Sequence, residues 1–143
     1  MIAYLGIGSN LGNTTENLQQ AVLLLRRYAG EVLSVSDIYH SMPQGFESEN
    51  EFANIAVRIN TQLSPKALLH ITQGIEKQMG RTEKTQLDNN GKPLYHDRIV
   101  DIDILEYENV EIKSKELVLP HPRIAERDFV RIPLNQVKNS TNV

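Results

Sequence analysis

Two acidic side chains at strand spacing are the first residues in this sequence that could do chemistry. Asp101 and Asp103 alternate with Val100, Ile102 and Ile104, so in a strand both carboxylates project from one face, roughly 6.5 to 7 Å apart. Carboxylates that share a face repel each other unless a cation lies between them. The pattern is typical either of an exposed sheet face paired with Lys or Arg, or of a Mg²⁺ site completed by water and phosphate oxygens.

Basic residues upstream of these acids favour a phosphate ligand. Arg98 precedes the same strand, and its planar guanidinium suits a bidentate contact with phosphate. Arg81, Lys84 and Lys92 lie in the preceding segment 81–97, seventeen residues without an apolar period, which is typical of a functional lid or a disordered segment. Carboxylates for a metal together with such a loop suit phosphoryl transfer, where catalysis is mostly positioning and charge neutralisation.

The other polar patterns in the sequence are less specific. The segment Gly6–Gly12 follows a strand pattern and precedes a helix, but it lacks the spacing of the dinucleotide and P-loop motifs and is equally typical of a tight turn. A metal site built on His96 and Asp97 would need further histidine ligands that the pattern does not supply. Three side chains could stack on or hydrogen-bond to a flat heterocycle, although aromatic residues more often lie in a core: Phe52, Asn54 and Tyr95.

Composition limits the class of protein. The 143 residues carry 15 basic and 18 acidic side chains, a net charge of −3 and no cysteine. Such a length suits one domain over residues 1–143, and the lack of thiols leaves oxygen and imidazole groups as metal ligands. The charge disfavours a nucleic-acid partner. The N-terminal apolar run is far shorter than the roughly 20 residues that span a bilayer, so we expect a cytoplasmic protein without membrane contact.

The hydrophobic patterns predict the order strand, helix, strand, strand, helix, strand. The predicted elements are a strand over 2–7, a helix over 13–30, strands over 31–41 and 52–61, a helix over 64–80 and a strand over 99–105. A hairpin near Glu108–Asn109, a short helical turn over 124–127 and a frayed tail from Lys138 should follow. This order is typical of an α+β, ferredoxin-like (βαββαβ) sandwich, an antiparallel sheet with helices on one face. That fold alone does not decide function.

Five groups of motifs occur in sequence along most of the chain. They are Gly8-Ser9-Asn10-Leu11, Phe52-x-Asn54, Glu76-x-x-x-Gly80-Arg81, Arg98-x-x-Asp101-x-Asp103, and Pro120-His121-Pro122-Arg123 with Arg127-x-Phe129. From Tyr4 to about Leu134 the chain resembles the 6-hydroxymethyl-7,8-dihydropterin pyrophosphokinases of folate biosynthesis. The resemblance implies transfer of pyrophosphate from ATP to the pterin hydroxymethyl group, giving AMP and the pterin diphosphate. It also implies two Mg²⁺ ions and a monomeric enzyme.

The resemblance implies a role for each matching position. Asp101 and Asp103 would hold the metal ions, with Asp103 also assisting deprotonation of the attacking hydroxyl, while Arg98 and Arg81 would supply catalytic positive charge. Glu76 would lie at the helix end near the loop hinge. The implied ATP contacts are Arg98, His121, Arg127 and Lys84. The implied pterin contacts are Ser41, Met42, Pro43, Gln44, Phe52 and Asn54, with Tyr95 and Phe129 on the two faces of the ring.

The sequence departs from the family pattern at three places. His96-Asp97 replaces a common Gly-Pro beside Arg98, and the loop after Arg81 is several residues longer. In the pterin pocket, Ser41-Met42 replaces a common Thr-Pro and Phe52 replaces a common Tyr. A non-catalytic ligand-binding or regulatory module on the same scaffold remains the alternative to an enzyme. A single-stranded RNA binder is disfavoured because no strand carries the aromatic and basic pattern on which bases stack.

Overall fold

The computed structural model describes residues 1–42, 50–80, 86–87, 93–94 and 99–139. Within these ranges the chain forms nine strands and three helices. The strands are β1 (Ile2–Ser9), β2 (Glu31–Val35), β3 (Tyr39–Ser41), β4 (Phe52–Asn60), β5 (Gln86–Leu87), β6 (Pro93–Leu94), β7 (Asp101–Tyr107), β8 (Ile112–Lys113) and β9 (Val118–Leu119). The helices are α1 (Thr14–Tyr28), α2 (Pro65–Gln78) and α3 (Asp128–Asn139).

The main sheet is antiparallel and has the strand order β2-β4-β1-β7, with β3 also paired to β4. With α1 after β1 and α2 after β4, this arrangement confirms the predicted ferredoxin-like fold. The predicted single strand over 31–41 is interrupted between β2 and β3. Ser36 explains the break, because its hydroxyl accepts from the Ala56 amide at 2.8 Å while its own amide donates to the Ala56 carbonyl at 2.9 Å.

Side-chain capping fixes the starts of α1 and α2, as the sequence predicts. Asn13 Oδ1 accepts from the Glu16 amide at 3.1 Å, and Ser64 Oγ accepts from the Ala67 amide at 3.2 Å. Each bond satisfies one of the backbone donors that a helix N-terminus leaves without a partner. Both helices cover one face of the sheet, where the alternating residues of β1, β4 and β7 form the main core: Ala3, Leu5, Ile7, Ile55, Val57, Ile59, Ile102 and Ile104.

Helix α3 covers the opposite face of the sheet, and the sequence predicts only the short turn that precedes it. In that turn the Glu126 amide donates to the Arg123 carbonyl at 3.3 Å, and the Arg127 amide donates to the Ile124 carbonyl at 3.5 Å. The helix begins at Asp128 and continues for twelve residues. Leu134 and Val137 pack against Ala56 and Leu105 in a second, smaller core. Pro133 lies inside the helix. Because a proline in a helix interior normally kinks or breaks the helix, the sequence pattern did not indicate a helix of twelve residues here.

Two further predictions about loops are corrected. The turn at Glu108–Asn109 exists, but β7 does not continue into a hairpin there; instead β8 pairs with β9. The segment 81–97, predicted to lack structure, contains the two-residue ladder of β5 with β6. None of the helices in the described parts of the chain is both long and apolar enough to cross a membrane.

Candidate active site

A row of residues across the sheet brings together side chains that are distant in sequence. Gly8 on β1 lies opposite Asn54 on β4 and opposite Asp101 on β7. Residues directly opposite in antiparallel strands share a face, and neighbouring strands lie about 4.8 Å apart. The amide of Asn54 and the carboxylate of Asp101 therefore emerge on one face, separated by the width of β1.

A second row repeats this arrangement one step along the strands. Gly6 lies opposite Ala56 on β4 and opposite Asp103 on β7. Asp103 thus joins Asp101 on the same face, while Ile102 between them is buried in the main core on the other. The structure places the two predicted metal-binding carboxylates on one strand face, as their spacing predicts.

The two glycines of β1 form the floor between these groups, and their lack of a Cβ lets neighbouring side chains approach the strand closely. A Cβ on Gly8 would lie 3.1 Å from Asn54 Oδ1 and 3.5 Å from Phe52 Cδ1. A Cβ on Gly6 would lie 3.4 Å from Leu105 Cδ1. The sequence indicated a glycine-containing turn here; it gave no sign that Gly6 and Gly8 form the floor of a site.

Hydrogen bonds fix the orientation of Asn54, which is only 5% exposed. Its Nδ2 donates to the Tyr39 carbonyl and to Ser41 Oγ, each at 2.9 Å. With the amide nitrogen bound to β3, Oδ1 is the atom that lies nearest the position of a Gly8 Cβ. Ser41 pairs with Phe52 in the β3-β4 ladder, so three predicted pterin contacts lie together.

His121 joins the site from the segment after β9. Its amide donates to the Leu105 carbonyl at 2.8 Å, which ties it to β7, and its Nδ1 accepts from the Arg123 amide at 3.2 Å. Burial lowers the pKa of His121, the charges of Arg127 and Arg123 lower it further, and Asp101 acts in the opposite direction. A neutral ring that accepts at Nδ1 carries its proton on Nε2, which is then a donor.

Arg127 and Phe129, which the sequence assigned to different substrates, contact each other. The Arg127 guanidinium carbon lies 5.6 Å from the centroid of the Phe129 ring, within the range of a cation–π contact. Phe129 lies in the first turn of α3, and this helix packs against β3 and β4. Met42, at the end of the described segment before position 50, is 60% exposed.

Several predicted site residues lie outside the described residues. They are Pro43, Gln44, Arg81, Lys84, Lys92, Tyr95, His96, Asp97 and Arg98. Their assigned roles stay predictions.

Comparison with known proteins decides the family. Residues 4–139 match the family model for 7,8-dihydro-6-hydroxymethylpterin-pyrophosphokinase. The chain belongs to this family. It is 45% identical over 137 residues to the 2-amino-4-hydroxy-6-hydroxymethyldihydropteridine pyrophosphokinase of Porphyromonas gingivalis, covering 95% of this chain and 90% of that one. With the enzyme of the same name from Bacillus subtilis it shares 41% identity, over 95% of this chain and 77% of that one.

A solved structure of the family supports the fold. The crystal structure of Plasmodium falciparum HPPK-DHPS wild type with pteroate matches 94% of this chain with a TM-score of 0.71 at 16% sequence identity. This chain spans 38% of the length of that protein.

Proposed function

We propose that this chain transfers the pyrophosphoryl group of ATP to the hydroxymethyl oxygen of 6-hydroxymethyl-7,8-dihydropterin, giving AMP and the pterin diphosphate for folate biosynthesis. Membership of the pyrophosphokinase family supports the reaction. The observation that carries it in this chain is the row Asn54, Gly8 and Asp101. On one side of Gly8, the neighbouring strand β4 carries an amide that can hydrogen-bond to a heterocycle. On the other side, the neighbouring strand β7 carries the acidic pair.

The β4 side of the floor suits the pterin. Asn54 Oδ1 is held toward the floor because Nδ2 is engaged by Tyr39 and Ser41, so it can accept from the ring N–H groups of a pterin. Phe52 on β4 and Phe129 on α3 offer aromatic surfaces for the ring. Met42 and the backbone of Ser41 complete the described part of this subsite, and we retain Pro43, Gln44 and Tyr95 as proposed contacts.

The β7 side of the floor suits Mg²⁺. Two carboxylates on one strand face with a glycine opposite each fit an ion that takes one or two protein carboxylates and completes its shell with water and phosphate oxygens. Asp101 and Asp103 would hold two such ions. When bound, Mg²⁺ neutralises charge on the triphosphate, which favours attack at phosphorus.

Positive charge and hydrogen-bond donors for the nucleotide come from the segment after β9. His121 presents Nε2–H, and Arg127 lies close enough to lower the pKa of His121. Both can contact phosphate oxygens. We propose that Arg98, Arg81 and Lys84 add charge around the triphosphate, as the family pattern implies.

In the proposed step the hydroxymethyl oxygen attacks the β-phosphorus in line with the leaving group. The new oxygen–phosphorus bond forms as the bond from the β-phosphorus to the oxygen bridging the α-phosphate breaks, and AMP leaves with that electron pair. The hydroxyl proton passes to the Asp103 carboxylate. Catalysis is thus mainly orientation and charge stabilisation within a site from which water is excluded.

We also propose that residues 1–143 act as one domain, as a monomer and in the cytoplasm. The sharing of one sheet by strands from residue 2 to residue 107 supports the single domain. Light scattering at micromolar concentration tests the monomer, and a mass of twice the 16.2 kDa of the chain would contradict it.

An omission assay tests the function. AMP should appear only when the pterin, ATP and Mg²⁺ are all present, and Asp101→Asn or Asp103→Asn should abolish it. Glu106→Gln is the matched control, because Glu106 lies on the same strand but pairs with Lys138 on α3 at 2.8 Å; its AMP production should match the wild type. A protein that binds pterin and ATP but forms no AMP would be the non-catalytic module instead.

A further inference from the structure

A buried carboxylate lies directly behind the acidic pair. Glu76 is in the last turn of α2 and only 2% exposed, next to Ile75, which is equally buried. Glutamate is rarely buried to this degree unless it is hydrogen-bonded or paired. Its position therefore calls for a role in the structure around it.

The role is indicated by one hydrogen bond. Glu76 Oε2 accepts from the backbone amide of Ile102 at 2.8 Å, and this bond is itself buried. Ile102 is the residue between Asp101 and Asp103. A buried amide that lost this acceptor would be costly to leave unpaired, so the bond holds the backbone at Ile102, the residue through which the two aspartates are linked.

The place of β7 in the sheet explains why this support is needed. Among the strands that the structure describes, β7 ends the order β2-β4-β1-β7 and has β1 as its ladder partner, with the His121 amide bound to the Leu105 carbonyl near its other end. Amides at an edge lack a ladder partner, and an edge strand is held less firmly than a central one. Glu76 supplies an acceptor for the backbone amide of the residue that lies between the two carboxylates.

We propose that Glu76 is a positioning residue that fixes Asp101 and Asp103 in register for divalent cations through the Ile102 amide. This inference rests on the proposed function of the acidic pair. Glu76 lies on the helix side of the sheet and acts through the backbone, whereas the aspartates emerge on the opposite face. Glu76 therefore orients the two carboxylates toward a cation, and it does not contribute to pterin binding.

Cation binding measured without turnover tests the proposal. Mn²⁺ binding in the presence of a non-hydrolysable ATP analogue is followed by electron paramagnetic resonance in the wild type, Glu76→Ala, Glu76→Gln and Thr72→Val. Removing a group that orients metal ligands typically costs about 10- to 100-fold in metal affinity, so Glu76→Ala should weaken Mn²⁺ binding by about 10-fold or more. Glu76→Gln keeps an acceptor oxygen and should recover most of the loss.

Thr72→Val is the matched control. Thr72 is fully buried on the same helix, but its hydroxyl donates within α2 to the Leu69 carbonyl at 2.9 Å. The Thr72→Val protein should have a lower free energy of unfolding than the wild type but the same affinity for Mn²⁺. Hydrogen exchange of the Ile102 amide proton checks the hydrogen bond itself. Exchange should be slow in the wild type and in Thr72→Val, and fast in Glu76→Ala. The KM for the pterin should stay at the wild-type value in every variant.

Equal Mn²⁺ affinity in Glu76→Ala and Thr72→Val would overturn the proposal, and so would a Gln variant no better than Ala or a wild type that binds no Mn²⁺. If Glu76→Ala does not fold, Glu76→Asp replaces it, since the shorter side chain withdraws the oxygen from the amide. Mn²⁺ binding needs neither pterin nor turnover. A wild type that makes AMP while Glu76→Ala binds Mn²⁺ normally refutes only this inference, and the reverse pattern refutes only the proposed reaction.

Discussion

Gly8 lies between Asn54 of the proposed pterin subsite and Asp101 of the proposed metal site. A variant that adds a side chain at Gly8 tests this arrangement. In Gly8→Ala the new methyl group would lie 3.1 Å from Asn54 Oδ1 and 3.5 Å from the Phe52 ring, which pushes against the groups proposed to hold the pterin. We expect kcat/KM for the pterin to fall about 10-fold or more, equivalent to about 1.4 kcal/mol of transition-state stabilisation.

The control for this variant is Gly74→Ala, where a Cβ would meet nothing within 4 Å on the exposed side of α2. Alanine is the better helix former, so this variant should keep wild-type kinetics. Steady-state kinetics with the pterin as the varied substrate measure both variants. Unchanged pterin kinetics in Gly8→Ala would show that the floor of the site lies elsewhere.

His121 should remain uncharged at pH values where an ordinary histidine begins to protonate. Burial and then the charges of Arg127 and Arg123 lower its pKa below the usual 6.5, against the influence of Asp101. Arg127→Gln removes one of these causes and should raise the pKa of His121, without restoring the usual value because burial remains. Titration of the His121 ring protons by NMR measures both proteins, and identical pKa values would refute the electrostatic contact.

The same shift has a consequence for stability. As the pH falls below about 6.5, the unfolded chain binds a proton at His121 before the folded chain does, so this residue lowers stability on acidification. In urea unfolding between pH 7 and pH 5, His121→Gln should lose less stability than the wild type.

For single residues, the sequence predicted the sheet face on which a side chain lies better than it predicted the residues that the side chain contacts. The spacing of Asp101 and Asp103 was enough to place both on one face, because alternation in a strand is fixed by backbone geometry. The contact of Arg127 with Phe129 and the bond of Glu76 to Ile102 could not be predicted. Both depend on how separate elements pack, and that information is not contained in local spacing.

Among the elements, α3 makes the contribution that the sequence indicated least. It covers the sheet face opposite α1 and α2 and carries Phe129 at its start. Leu134→Ala empties a fully buried position in the smaller core and should lower the free energy of unfolding by about 2 to 5 kcal/mol. Urea denaturation measures the loss.

Asn135→Ala, at an exposed position of the same helix, is the control and should change stability by less than about 0.5 kcal/mol. A Leu134→Ala protein as stable as this control would mean that α3 does not pack on the sheet.

The accuracy of element prediction followed from the kind of signal each element carries. The starts of α1 and α2 were predicted from Asn13 and Ser64. This was possible because an N-cap side chain bonds to a backbone amide only a few residues away in sequence. The break between β2 and β3 was not predicted. The Ser36 hydroxyl accepts the hydrogen bond of the Ala56 amide in place of a backbone carbonyl, and in the sequence pattern such a serine cannot be told from any other polar residue of a strand. Pro133 concealed the length of α3, because tertiary packing outweighs its local penalty.

On the scale of the whole molecule, the sheet places strand β1 between the two proposed subsites. β4 carries the hydrogen-bonding amide and β7 carries the acids, with the glycines of β1 between them. The net charge of −3 gave no hint of this, because it is a sum over 15 basic and 18 acidic side chains. The local field around His121, Arg123 and Arg127 differs from that sum, and it suits a triphosphate beside an acidic pair.

In the proposed reaction a pyrophosphoryl group passes intact from ATP to the pterin. Phosphorus-31 NMR of a reaction containing the purified chain, ATP, Mg²⁺ and 6-hydroxymethyl-7,8-dihydropterin tests it most directly. We expect AMP and the pterin diphosphate to appear in equal amounts as ATP is consumed, with ADP and orthophosphate no higher than in a reaction without protein. ADP formed together with a pterin monophosphate, or ATP hydrolysis without a phosphorylated pterin, would contradict it.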